Sequence, residues 1–374
     1  MAEKIKLTSR EQDYSQWYLD VAQTGELFEY SPTPGCITFL PKSTDIWQRI
    51  RAHIDAKIRV MGVQNVMLPM LVPMEFFMKE ADHVEGFAPE IATVTRVGDK
   101  ELDAPLGLRP TSETMFCDFF RKRLRSYRDL PILCNQWCNI LRWEKRTRPF
   151  LRTAEFHWQE GHTLHRTRDE AWEFVLSILH DVYIDTIRNL LAIDGIAGRK
   201  SESEKFAGGD VTTTFEPMMS NGWALQICTS HLLAQGFMEG FDVSFADEDG
   251  SLKHPYYTSW GLSTRSIGGM ISAHSDDRGL IIPPRISEYR AVILPIYGKD
   301  RDEETNAYAR RVAAMLVPDG TEIPVKGESM RAVTNNQERV LLDLRNERVG
   351  AKITDWELSG YPVRIECGAR EMDE

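Results

Sequence analysis

The stretch LRWEKRTRPFLRTAEFHWQEGHT, residues 141–163, constrains this chain more than any other. Two runs rich in apolar residues flank a basic loop that contains Pro149, a pattern that predicts a strand, a loop and a returning strand. Side chains repeat every two residues along a strand, so the outgoing arm would carry Arg142 and Glu144 on one face. Such a hairpin holds guanidinium groups toward one point, and a guanidinium fork binds phosphate through two parallel bonds. Phe156 adds a flat apolar face on which an aromatic base can stack.

Charge narrows the possible partners. The net charge of −11 argues against a protein that coats nucleic acid without specificity. Yet residues 121–152 hold ten Lys or Arg against two acids, so positive charge is local. Lys122 and Arg125 read as a solvated helix face; the strand context of Arg142 and Arg152 points to function. A chain of 374 residues predicts two or three domains with a large core. No run reaches the roughly 20 apolar residues that span a bilayer, and the N-terminus MAEKIKLTSREQDY has no apolar signal core. The six cysteines lack paired Cys-x-x-Cys spacing, which predicts free thiols in a reducing cytoplasm, no structural zinc and no membrane partner.

Periodicity predicts helices over 9–24, over 44–61 (with Ile46, Ile50, Ile54 and Ile58 on one face), from Thr111 to about Ser126, and over 168–193. NVMLPMLVP, residues 65–73, reads as a strand. LIIPPRI, residues 280–286, is a domain boundary, followed by strands at 291–296, 321–325 and 362–367 and helices at about 300–317 and 335–348. Alternating strands and helices of this kind indicate a small α/β domain.

Arg142-x-Glu144, a loop, then Arg152 and Phe156 resembles motif 2 of class II aminoacyl-tRNA synthetases. FLRTAEFHWQEGHT resembles, more narrowly, prolyl-tRNA synthetase of the archaeal and eukaryotic-like type. EGFAPEIATVT (85–95), LRPTSETMF (108–116), EKFAGGDVTTT (204–214), TSH (229–231) and SWGLSTRSIGGM (259–270) resemble that family in its order. The resemblance implies an α+β fold: an antiparallel class II sheet with flanking helices over residues 1–284, then a small α/β anticodon-binding domain over 285–374. About a hundred residues separate Phe156 from Arg265, too few for the large editing insert of bacterial-type prolyl enzymes. Family members continue past GYPVRIECGAREMDE, so the resemblance implies a shortened form or a fragment.

The implied activity is proline–tRNA ligation in the cytoplasm: proline reacts with ATP, accompanied by Mg2+, to give prolyl-adenylate, and is then moved to tRNA(Pro). By resemblance Arg142 bridges the proline carboxylate and the α-phosphate, while Arg152 and Arg265 hold the triphosphate. Glu144 orients adenosine, with adenine between Phe156 and Arg265. Gln226, Thr229 and Ser263 match ATP-contacting positions, and Gln226 is the candidate magnesium contact. Thr111 and Glu113 match the amine-binding residues; Trp158, Glu160, Phe206 and His231 match the wall around the ring. The helix and Pro69-containing strand resemble motif 1, which implies a homodimer. Asp343, Arg345, Lys352 and Glu357 resemble the anticodon-reading stretch. A specificity for threonine or glycine fits that pocket set poorly. The alternative is a paralogue that binds amino acid or tRNA without full aminoacylation. The shortened end and Ile227-Cys228, which stand where the family has Gly-Gly, keep it in view; a further departure is Leu232-Leu233-Ala234, where the family has Leu-Gly.

Overall fold

The computed structural model describes residues 7–83, 91–298, 301–327 and 339–373. Residues 85–90 of the EGFAPEIATVT stretch and 335–338 of the expected last helix lie outside them. Contacts gather the chain into two units: Tyr30–Thr38 with Ile50–Gly269, and Met1–Glu29 with Phe39–Arg49 and Met270–Glu374.

The first unit is built on a seven-stranded sheet. Its strands are β1 (Gln64–Asn65), β2 (Ile132–Leu141), β3 (Glu155–His165), β4 (Ile196–Arg199), β5 (Val211–Glu216), β6 (Cys228–Ala234) and β7 (Tyr256–Ser263). They lie in the order β1-β2-β3-β7-β6-β5-β4. All neighbours are antiparallel except β1 and β2. Directly opposed residues share a face. One row therefore runs Gln136, Glu160, Gly261, Thr229, Thr214 across five strands. The next runs Cys134, His162, Ser259, His231, Thr212.

Helix Glu113–Arg121 covers the lower part of this face: Phe116 stacks on His162 at 4.0 Å and joins a core with Phe120, Leu233, Phe237 and Tyr257. The opposite face packs on a helix that starts at Arg168, capped by Thr167 and Glu170, and widens into π-type turns from Ile178 to Leu190. From it Tyr183 Oη donates to Gln159 Oε1 (2.7 Å), and Val175 O accepts from Ser230 Oγ (3.0 Å).

Several expectations shift. Strand β2 stops at Leu141, so Arg142 and Glu144 lie just beyond it, in a loop closed by paired Arg148 and Arg152 backbones. Arg142 N still donates to Ala154 O (2.8 Å), and past that bond the basic, Pro149-containing segment turns back on itself. The helix expected from residue 44 begins at Pro41, since proline at a first turn loses no helical bond. The 65–73 strand splits into β1 and Leu71–Pro73, with Pro69, which lacks an N–H, between them. The helices expected over 9–24 and 111–126 span Tyr14–Thr24 and Glu113–Arg121. Trp17, Val21, Ile46, Ile50, Ile54 and Ile58 are all buried, as their spacing predicts.

The second unit holds a parallel sheet of β8 (Ala291–Pro295), β9 (Val325–Lys326), β10 (Val340–Asp343) and β11 (Val363–Cys367), in the order β9-β10-β8-β11. Helix Asp302–Met315 packs on one face, against Ile293 and Leu342; Trp356 covers Val292, Leu294 and Leu341 on the other. The helix expected over 335–348 is corrected here: residues 340–343 are strand β10, and the helix is Val349–Ser359, closed by left-handed Gly360 (φ 78°). An inner parallel strand is covered on both faces and reads as one apolar run, which periodicity does not separate from buried helix.

Trp260 lies across Gly161, its partner on β3; a Cβ there would stand 2.1 Å from the indole. Gly161→Ala is therefore expected to lower unfolding free energy by about 2–3 kcal/mol in urea titration, the usual range for overpacking. Gly198→Ala in the edge strand β4, where a Cβ meets nothing within 4 Å, should stay within about 0.5 kcal/mol. Equal midpoints for the two variants would contradict this packing.

Candidate active site

The two polar rows floor a cavity of about 220 Å³. Its walls include Thr111, Glu113, Arg142, Trp158, Glu160, Phe206, Gln226, Thr229 and His231, nine of the residues singled out in the sequence. They come from five segments far apart in the chain. Trp158 and Glu160 rise from β3, Thr229 and His231 from β6, Thr111 and Glu113 from the start of helix Glu113–Arg121. Arg142 leaves the end of β2, and Phe206 sits on the loop before β5.

Glu160 is buried, yet its carboxyl lies below the usual carboxylate range. Burial alone would raise it; hydrogen bonds and the charge of His162, with bonds from Ser112 and Gln136, more than offset that. Ser112 Oγ and Gln136 Nε2 each donate to Oε1 at 2.5 Å, and His162 Nε2 lies 3.1 Å from Oε2. Ser112 stands at a helix N-cap, but its hydroxyl is spent on Glu160 rather than on the helix. Cys138 Sγ, 3.3 Å from Oε1, accepts from Trp158 Nε1 at 3.2 Å and so ties the indole to the same carboxylate. Burial, with Glu160 beside it, pushes the Cys138 thiol up, so it is a neutral spacer rather than a nucleophile. Glu113 accepts from Thr111 Oγ1 and from Ser259 Oγ (2.9 Å).

Arg142 faces these acids. Its Nε donates to Pro110 O (3.0 Å), and its guanidinium carbon lies 5.3 Å from the Trp158 ring and 5.7 Å from the Phe156 ring. Burial pulls its pKa down while Glu113, Glu160 and Glu144 hold it up; a guanidinium stays charged at neutral pH regardless. Arg265 donates from Nε to Leu151 O (3.0 Å) and from Nη1 to Gln226 O (3.2 Å), which fastens the 142–154 loop and β6 to one side chain. Its pKa is lowered by burial and by Arg142 and Arg152 nearby. Ser263 Oγ accepts from Arg265 N (3.2 Å). Arg152 pairs with Glu144 at 2.7 Å on the exposed side of the loop. Three guanidiniums thus converge beside the cavity, and the cation lying over Phe156 is Arg142.

Such an arrangement offers an acid at Glu113, a guanidinium at Arg142 and an apolar wall of Trp158, Phe206 and His231, the chemical complement of a small zwitterion with an apolar body. A polyanion finds Arg152 and Arg265 alongside. Among the described residues no group of three His, Cys, Asp or Glu forms a resident metal site; the Gln226 side chain offers one oxygen of the kind magnesium accepts.

The remaining four candidates lie in the second unit and do not form one open surface. Asp343 is fully buried and accepts from Arg345 Nε (3.0 Å) and Nη2 (2.8 Å) and Trp356 Nε1 (2.8 Å). Lys352, also buried, donates to Asp343 O (3.2 Å). Arg345 reaches on to Asp355 (2.8 Å), while Glu357 pairs apart from them with Arg364 (3.2 Å). Missed in the sequence were Ser112, Gln136, His162, Thr212 and Ser259. His162 was within reach, two residues beyond Glu160 on the same strand face; Gln136 and Thr212 become visible only through cross-strand register.

Comparison with known proteins agrees with this geometry. Residues 94–274 match the family described as tRNA synthetase class II core domain (G, H, P, S and T), and residues 290–374 match the anticodon binding domain. The chain is 46% identical over 373 residues to a proline–tRNA ligase of Roseiflexus sp. strain RS-1, covering 99% of this chain and 74% of the relative. It is 44% identical to that of Mesoplasma florum over 100% and 74%. It is 45% identical to proline–tRNA ligase 2 of Clostridioides difficile strain 630 over 98% and 73%.

Proposed function

The chain belongs to the proline–tRNA ligase family of class II synthetases, and from that premise we infer how its own residues divide the work. It is an ATP-dependent ligase that joins proline to tRNA. The observation that carries the assignment of roles is the gathering of nine independently chosen side chains around one cavity.

In our reading Glu113 and Thr111 receive the secondary ammonium of proline, which must be paired once out of water. Trp158, Phe206 and His231 enclose the ring, and Glu160 holds the floor. Arg142 binds the carboxylate and meets the α-phosphate, so the attacking oxygen and the phosphorus are presented to each other without a side-chain nucleophile. Negative charge grows on the five-coordinate phosphorus as pyrophosphate departs, and fixed cations at Arg142, Arg152 and Arg265 favour that state over the ground state. Thr229, Ser263 and Glu144 serve the nucleotide, and adenine stacks on Phe156. Gln226 would contact the magnesium ion of the triphosphate, and that ion would supply neutralising charge to the phosphate oxygens.

The finer assignments follow the same premise. We take the catalytic domain as 1–284 and the anticodon domain as 285–374, close to the bounds of the two family matches. The short span between Phe156 and Arg265 supports the archaeal and eukaryotic-like sequence type, although the relatives compared are bacterial. Cytoplasmic work suits six free cysteines, and no helix among the described residues is long and apolar enough to cross a membrane. Val60, Met67, Met70 and Leu71 are exposed in the motif 1 segment, the surface a two-fold partner would cover. Arg345, braced by Asp343 and Asp355, is the proposed anticodon reader; bases of that kind are read by bonding and stacking on exposed edges.

Three measurements test these assignments. Purified protein should exchange pyrophosphate into ATP with proline and not with threonine or glycine, and Arg142→Ala should slow exchange by about 10²–10³, the usual loss for one preorganised donor. Threonine-driven exchange, or a folded Arg142→Ala protein at full rate, would refute the specificity or the role. Light scattering at micromolar concentration should give a dimer, broken by Met67→Glu with Met70→Glu; a fully active monomer contradicts it. Arg345→Ala should weaken tRNA charging and spare pyrophosphate exchange, whereas unchanged charging removes Arg345 from anticodon reading.

A further inference from the structure

Thr212 stands directly opposite His231 in the β5–β6 register, and both side chains face the cavity. Its hydroxyl makes two contacts. The backbone N–H of Phe206 donates to Oγ1 (3.0 Å), and His231 Nδ1 lies 2.9 Å from the same atom. The hydroxyl carries one hydrogen. A backbone N–H can only donate, so it takes an acceptor lone pair of the oxygen. Among the described residues, the acceptor in contact with that hydroxyl is His231 Nδ1. A buried hydroxyl that left its hydrogen unpaired would lose a bond's worth of free energy. Thr212 therefore donates to Nδ1.

We propose that Thr212 is a specificity-determining positioning residue: its one hydroxyl fixes His231 as the neutral tautomer protonated on Nε2 and anchors the loop that carries Phe206, setting both sides of the proline-ring slot together. This rests on the reading of the cavity as the proline site. Burial, with His162 nearby, holds the His231 pKa down at about 3, so the imidazole is neutral at working pH and carries a single N–H. The ring tilts 40° against Phe206 at 5.0 Å, and the contact with Thr212 holds that plane. A neutral imidazole is what the slot requires. A protonated one would bring a second cation beside the ammonium of proline, whose partner in this reading is Glu113. The loop is rooted at the same residue: Lys200 N donates to Thr212 O (2.9 Å), Gly209 N to Phe206 O (2.9 Å), and Lys200 pairs with Glu204, which also lines the cavity. One strand residue thus ties the aromatic lid to the histidine beneath it.

The experiment compares wild type, Thr212→Val and Thr212→Ser by pyrophosphate exchange and by ¹⁵N NMR of the His231 imidazole. Valine keeps the shape and removes both bonds; serine keeps both. In Thr212→Val the KM for proline should rise about tenfold, consistent with two lost hydrogen bonds. The KM for ATP should stay within twofold, discrimination against alanine should fall, and the Nε2–H pattern of wild type should give way to a tautomer mixture. Thr212→Ser should match wild type in all four. An unchanged proline KM and tautomer in Thr212→Val overturns the proposal. So does an equal loss for proline and ATP, which signals general loosening. A wild type without proline-dependent exchange would instead overturn the proline assignment, and the tautomer comparison would still judge Thr212.

Discussion

Gln136 faces Glu160, Glu160 faces Gly261, Gly261 faces Thr229 and Thr229 faces Thr214 across five neighbouring strands, and the cleft hangs on that register. A slip of one residue in β3 would send Trp158, Glu160 and His162 to the far face and bring up Gln159 and Gly161. The far face guards against this. Gly161 leaves the room that the Trp260 ring fills, and Gln159 is bonded to both Tyr183 and Asn135. Packing on the side away from the substrate thereby sets the geometry on the side that binds it.

That register also explains how a buried carboxylate stays ionised. Glu160 is met by donors from β2, from its own strand and from a helix N-cap. His162 passes the chain on, with Nδ1 2.6 Å from Tyr257 Oη, so the network ends in the aromatic core beneath helix Glu113–Arg121. A fully bonded buried carboxylate has little left to offer a ligand amine, whereas Glu113, with Thr111 and Ser259, sits where the amine can be shared. Two acids of one chemical type are thus separated into floor and partner by what surrounds them. The same network reaches outward: Gln136 Oε1 accepts from Leu68 N (3.1 Å), beside the exposed Met67 and Met70. The cavity floor at Glu160 and the segment around Pro69 therefore share one glutamine.

Nine residues that line the cavity were legible in the sequence because they sit in short ordered strings; the layer behind them was not. Trp158 and Glu160 announce themselves two apart on a strand, and Arg142 is marked by the basic loop that follows it. Ser112, Gln136 and Thr212 have ordinary hydroxyl and amide side chains, and their meaning lies in what stands across the strand. Local pattern also carried Arg142 and Glu144 on the strand, which ends at Leu141 with one further bond, from Arg142 N to Ala154 O. It failed at VLLD as well, where an inner parallel strand has no polar face to betray its period. Lys352 and Asp343, read in the sequence as parts of an anticodon-reading stretch, prove buried, because a bonded ion in a helix–sheet seam has the same letters as one in water.

The two departures from the family pattern are absorbed away from the cleft. Cys228 precedes Thr229 on β6 and so faces the opposite side, buried near Tyr183 with its thiol pushed up to about 12 by burial. Ile227 is buried as well, its Cδ1 2.9 Å from where a Cβ on Gly269 would stand. The absent side chain at 269 makes room for the added one at 227, and neither Ile227 nor Cys228 lines the cavity. Leu232 packs on Ala171 and Val175 behind the sheet, and Leu233 fills the core with Phe116 and Phe237 below the slot. A bulge between Leu232 and Ala234, with Ala234 left-handed at φ 53°, follows directly after the pocket residue His231. The bulge falls past the two polar rows, so Thr229 and His231 keep their register opposite Gly261 and Ser259. The altered letters change the packing that supports β6 and leave its binding side chains in place.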